Sequence, residues 1–273
     1  RSLVGSEMCI RDSTSGSSIS IEGQNEGFTL TGNNAGDTLI GGGGNDIIQG
    51  KGGDDTLTGN GGNDLFKIET ATDTVTDLTN GDNFQVSGTA IMNANDITSF
   101  SAGGTTSNAS NSTANLYAHT TSSTTIDMSG AGSGKFKIFV SGGTDNIKGG
   151  TDDDIITITA SGKGDADTID GNTHGGSGDT LALSTGTHTF SDNDKLKGIQ
   201  IITTHSSGST VSSSLFSLSY KGTNTIPNMT MFADAPAGEL NNSQNTTWLS
   251  ASTTGSNPTL SIENWRKNRI YYD

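Results

Sequence analysis

Between Gly32 and Lys67 the apolar residues keep a strict beat: Leu39, Ile48, Leu57 and Phe66 stand nine apart. Each closes a unit whose first six positions are mostly Gly, Asn and Asp, as in GGGGNDIIQ from Gly41 to Gln49. Residues of that kind accept tight turns and positive φ. The last three positions, such as Ile47-Ile48-Gln49, suit a short strand. Alternation along a strand then turns Ile48 inward and its two neighbours outward. A turn followed by so short a strand reverses the chain, so two units close one flattened coil. Successive coils stack as parallel strands about 4.8 Å apart. Leu39 then lies beneath Leu57, with Ile48 facing them across a thin apolar spine. One unit cannot bury its single side chain alone, so such repeats come in numbers.

An acid keeps the same beat, at Asp37, Asp46, Asp55 and Asp64. Stacking places Asp37 under Asp55 and Asp46 under Asp64, and like charges about 5 Å apart repel. The pattern therefore predicts a cation between them. Carboxylate and turn carbonyl oxygens, without His or Cys, are ligands for a hard ion. Calcium takes six to eight of them in flexible geometry, whereas magnesium demands a stricter octahedron. Calcium is the expected ion.

These units resemble the RTX, or haemolysin-type, nonapeptide G-G-x-G-x-D-x-U-x, where U is a large apolar residue. The match is fullest at 41–49, through Gly41, Gly42, Gly44, Asp46 and Ile48. Lys51 and Asn60 replace the second Gly in the units 50–58 and 59–67, and Asn33 and Ala35 weaken the unit 32–40. The resemblance implies an all-β chain with parallel β-roll blocks. It implies calcium held by the sixth-position aspartates together with carbonyls of turn glycines, here Gly41, Gly44, Gly50, Gly53, Gly59 and Gly62.

After Phe66 the glycines fade. Residues 73–87 read as a strand-and-turn cap to a first block spanning 32–86, after a lead-in over 14–31. Asp77 and Asp82 read as solvated turn acids, with a terminal ion site as the alternative. Residues 87–140 are a Ser/Thr-rich β segment with alternating stretches such as NLYAH and KFKIFVS. The motif returns in a second, irregular block over 141–204. There Asp145 and Asp154 stand nine apart, and Asp167 and Asp179 follow at longer steps. All four are candidate calcium ligands. Residues 205–273, with both tryptophans (Trp248 and Trp265), read as a Ser/Thr/Asn-rich β segment.

Composition sharpens this picture. Of the 273 residues only 29% are apolar, too few for an ordinary core of this size, as expected for disorder or a repeat fold. The net charge of −15 argues against nucleic acid, whose phosphates need Lys and Arg. No apolar run approaches the roughly 20 residues of a membrane-spanning helix. Residues 1–13 are set aside: VGSEMCIRD from Val4 to Asp12 matches a translated sequencing adapter and lacks the apolar segment of a secretory leader. On that reading the natural start lies upstream, and Cys9, the one cysteine, is foreign.

Catalytic motifs are not found. The four histidines (His119, His174, His188 and His205) are scattered, and none lies in H-E-x-x-H. Gly130–Phe136 (GAGSGKF) is one residue short of a phosphate loop, and GGSGD around Ser177 lacks a second glycine of a nucleophile elbow. DADTIDG from Asp165 begins like an EF-hand but has Gly176 where the closing Glu belongs. His174 reads as an exposed loop residue.

The sequence thus predicts an extracellular, non-enzymatic calcium-binding protein that folds on the ion. The resemblance implies type I secretion to a bacterial cell surface and a surface-layer or adhesin-like role. Calcium ions are its expected partners, with self-association or a cell-surface polysaccharide beyond them. The alternative is the calcium-binding tail of a secreted enzyme or toxin whose catalytic domain lies upstream.

Overall fold

The computed structural model describes residues 15–159, 167–183 and 196–199, together with the backbone of strands at Glu7–Cys9, Gly186–Phe190, Ile201–Thr204, Ser209–Ser213, Thr223–Thr225, Thr230–Phe232 and Thr259–Ser261. The Ser/Thr/Asn-rich segment 205–273 is described only through the backbone of its strands, and Trp248 and Trp265 lie outside the described residues.

Turn chemistry and the inward apolar residue build the coil as the sequence predicts. In Thr38–Ile40, Ile47–Gln49 and Thr29–Thr31 the middle residue is buried and its neighbours are half-buried. Leu39 pairs with Leu57, and Ile48 with both Leu30 and Phe66, in parallel register two units apart. Odd and even units thus feed two opposed sheets. One is a ten-stranded parallel sheet that runs from Ser18–Ser20 through Thr38–Ile40, Thr56–Thr58 and Thr72–Val75 onward to Ile201–Thr204. The other faces its first coils and contains Thr29–Thr31, Ile47–Gln49, Leu65–Ile68 and Asn83–Val86. Glu7–Cys9, set aside by sequence, pairs with Thr29–Thr31 at this sheet's edge.

The roll does not stop where the glycines fade. Ile91–Ile97 pairs with Thr72–Val75 on one side and Thr113–Ala118 on the other, so the Ser/Thr-rich stretch continues the long sheet. Its coils are wider: Ala94 pairs with Leu116 and Leu116 with Ile138, each step longer than two repeat units. The extra length supplies a third side. A second facing sheet begins at Ser99–Ser101 and continues through Thr125–Asp127, Asn146–Lys148, Thr168–Asp170 and Leu196–Lys197. Meanwhile the first facing sheet ends in Ser107–Asn108, which bridges on to Ser133. Three phenylalanines join the walls at this change. Phe84 of the first facing sheet stacks on Phe100 of the second at 5.9 Å and meets Phe136 of the long sheet edge-on at 6.0 Å. Such ring pairs contribute roughly 0.5–1.5 kcal/mol beyond their burial. One continuous core runs from Ile21 to Ile199.

Candidate metal centre

Strand parity places the acids. Each aspartate stands two positions before the inward apolar residue, as in Asp37-Thr38-Leu39, so its side chain also points inward. Asp37, Asp46, Asp55, Asp64, Asp145, Asp154, Asp167 and Asp179 are all at most 2% exposed. In the first block they stack as the nine-residue beat requires, in the second at wider steps of 22 and 25 residues, and a backbone group stands between neighbours in each stack. One oxygen of every carboxylate accepts an amide of the preceding coil. Asp55 Oδ1 accepts the Asp37 N–H at 2.7 Å, and Asp64 Oδ1 accepts the Asp46 N–H at 2.7 Å. The same contact joins Asp145 N–H to Asp167 Oδ1 at 2.9 Å and Asp154 N–H to Asp179 Oδ1 at 2.8 Å. At the lower ends Ser17 donates to Asp37, Phe28 to Asp46, Thr124 to Asp145 and Phe136 to Asp154. Sequence reasoning gave the stacked charges a cation as their only relief. Main-chain donors relieve one oxygen of each.

The ladder is longer than the glycine pattern. Asp55 donates its N–H to Asp73 Oδ1 at 3.0 Å, and Asp64 donates to Asp82 Oδ1 at 2.8 Å. The expectation that Asp77 and Asp82 are solvated turn acids is therefore corrected. Asp82 is buried, and its Oδ2 accepts from the Thr79 amide and hydroxyl. Asp77 caps the turn beneath it, accepting from the Gly59 and Asn60 amides. Asp73 and Asp82 keep the beat of the earlier acids and precede Val75 and Phe84 by two, so spacing alone could have found them.

The turn glycines line the same row. Methyl groups on Gly32 and Gly41 would lie 2.5 Å from Oδ2 of Asp37 and Asp46, and 2.5 and 2.6 Å from the carbonyl oxygens of Gly50 and Gly59. Gly50 and Gly59 stand in the same place against Asp55 and Asp64. Gly32 and Gly41 thus leave room where carboxylate and carbonyl oxygens converge, and Gly50 and Gly59 leave room for the carboxylate. Gly53 and Gly62 adopt φ of 87° and 117° and lie against the backbone of the coil below, near Ala35 and Gly44, where a side chain would be strained. Gly44 lies against the backbone of Glu26 and Gly27.

Burial, the largest influence, raises Asp55 to about 6 and Asp64, Asp73, Asp154 and Asp179 to about 7. Backbone hydrogen bonds oppose it and nearby carboxylates add to it. Asp153 shows the opposite balance. Burial acts to raise it, but the amides of Gly176, Ser177 and Gly178 and the Lys135 ammonium at 3.0 Å hold it well below the ordinary carboxylate range. The two glycine motifs around Lys135 and Ser177 therefore converge on one acid. His174 is exposed, as expected.

A hard cation fits this donor set. Oδ2 of Asp55, Asp64 and Asp73 is buried with no hydrogen-bond partner. Among the described residues no three His, Cys, Asp or Glu side chains converge, so an ion here must draw on backbone carbonyls as well. Among the described residues no helix is long and apolar enough to cross a membrane.

A family model for the RTX calcium-binding nonapeptide repeat, in four copies, matches residues 31–66 and 139–157. No curated protein and no solved structure gives a significant match. The nine-residue beat, the parallel roll it builds and the matched repeats agree: residues 31–66 and 139–157 are similar to RTX nonapeptide repeats, which are known calcium-binding motifs.

Proposed function

We propose that this is a secreted protein whose roll is completed by calcium outside the cell, and that its role is structural, as a surface-layer or adhesin-like component. Two blocks, 32–86 and 141–204, would take the ion. The candidate ligands are Asp37, Asp46, Asp55, Asp64, Asp145, Asp154, Asp167 and Asp179, with carbonyl oxygens of Gly41, Gly44, Gly50, Gly53, Gly59 and Gly62. Bound calcium supplies the positive charge that lets buried carboxylates stay ionised.

One observation carries the reading: among the described residues, Oδ2 of Asp55, Asp64 and Asp73 lies buried with no hydrogen-bond partner. An ionised carboxylate is costly there without a partner. Extracellular modules bind calcium at roughly 10⁻⁴–10⁻³ M, far above cytosolic levels, so such a chain folds after export. Among the described residues the ladder aspartates and the turn glycines serve the stacking of coils, which supports a structural role. Self-association or a cell-surface polysaccharide is the contact such a role implies.

Circular dichroism of the chain during a calcium titration tests this, with magnesium as control. The expected result is a β signal that grows with millimolar calcium, not with magnesium, and is reversed by chelator. A β signal indifferent to chelator overturns the proposal.

A further inference from the structure

The second carboxylate oxygen sorts the ladder acids into two kinds. In the first kind it accepts the amide four residues earlier. Asn33 donates to Asp37 Oδ2 at 2.7 Å, Gly42 to Asp46 Oδ2 at 2.7 Å, and Gly150 to Asp154 Oδ2. With Oδ1 taken by the coil below, both oxygens of these acids are satisfied by the chain itself.

In the second kind that amide is turned away. Four residues before Asp55 and Asp64 stand Lys51 and Asn60, with φ of 79° and 64°. Asn60 sends its N–H to Asp77 instead, and its side-chain amide to the Gly41 carbonyl at 2.9 Å. Oδ2 of Asp55 and of Asp64 is left buried with no partner. Gly50 and Gly59 lie directly against these two oxygens, keeping side-chain bulk away from them. Asp73 shares the unpartnered oxygen, but Ile68 stands where its first-position glycine would be.

We infer that the calcium-holding turns of the first block are those of Asp55 and Asp64, and that the amide-closed turns of Asp37 and Asp46 hold their coils together without the ion. Two of the three units that depart from the repeat pattern at their second position, 50–58 and 59–67, are then the binders, while the third, 32–40, and the unit that matches the pattern fully, 41–49, are closed by their own backbone. Lys51 and Asn60 act as positioning residues: their left-handed backbone withdraws the amide that would otherwise occupy the carboxylate.

The inference rests on the calcium reading above and narrows it. Equilibrium dialysis of the full chain against calcium chloride tests it, with dichroism at saturating calcium to confirm folding. Asp55→Asn and Asp64→Asn should each remove one bound ion or raise the half-saturating concentration about tenfold. Asp37→Asn and Asp46→Asn should change it less than about twofold. Lys51→Val removes no ligand but disfavours positive φ, and should mimic Asp55→Asn. Equal losses in all four aspartate variants, or a loss confined to Asp37 and Asp46, overturn the inference and leave the calcium reading standing. A wild-type chain that binds no calcium overturns both.

Discussion

Each ladder aspartate is a residue whose charge and position conflict. Burial holds Asp55, Asp64 and Asp73 at about 6 to 7, against an ordinary value near 3.8. The folded protein then binds more protons than the unfolded chain between about pH 4 and pH 7. Stability without a metal must fall as pH rises through that window, and the protonated ladder is fully stable only below it. Thermal melts in chelator should therefore show a higher midpoint at pH 5 than at pH 7.5. A cation favours the ionised form, so stabilisation by millimolar calcium should be large at pH 7.5 and nearly gone at pH 5. A chelated midpoint that climbs with pH would contradict this account. Residue by residue, the sequence showed where the acids are but not what they touch. The stacking led the reading to a cation between the carboxylates, whereas the parity of D-x-U also places them indoors beside main-chain donors.

At the scale of the element, three-residue strands hold only because each lends one side chain to a shared core. Leu57 is fully buried between Leu39 and Val75 in the long sheet. Leu57→Ala should cost about 2–5 kcal/mol in denaturant unfolding at fixed calcium, whereas its outward neighbour Thr56→Ala should stay within about 0.5 kcal/mol. A larger loss at Thr56 than at Leu57 would refute the inward–outward assignment. The strands of the first block were legible because one apolar residue recurs against a background of Gly, Asn and Asp. The cap after Phe66 was read too early as an end. Ala71 takes the left-handed position there with φ of 60°, so the turn survives without its glycines. The third side was legible only in part. Asp145 and Asp167, two before Ile147 and Ile169, mark Asn146–Lys148 and Thr168–Asp170, but Ser99–Ser101 and Thr125–Asp127 have Thr98 and Thr124 in the aspartate's place and recur at uneven steps.

Over the whole molecule, net charge opposes compaction. A formal −15 on a chain with 29% apolar residues leaves little to hold coils together once acids ionise. Small-angle scattering in chelator at pH 7.5 and low salt should show an expanded chain. Compaction should follow on adding millimolar calcium, and only partly on adding about 0.15 M sodium chloride, which screens charges beyond about 8 Å but cannot enter the ladder as a ligand. Equal compaction by both salts would reduce calcium to a screening ion. The ladder's hydrogen bonds also all run one way, from a lower coil's N–H to an upper coil's carboxylate. The ladder therefore has a polarity along the roll. Parted between any two of these coils, the ladder would leave its amide donors on the lower cut surface and its carboxylates on the upper, so its pieces could rejoin only head to tail.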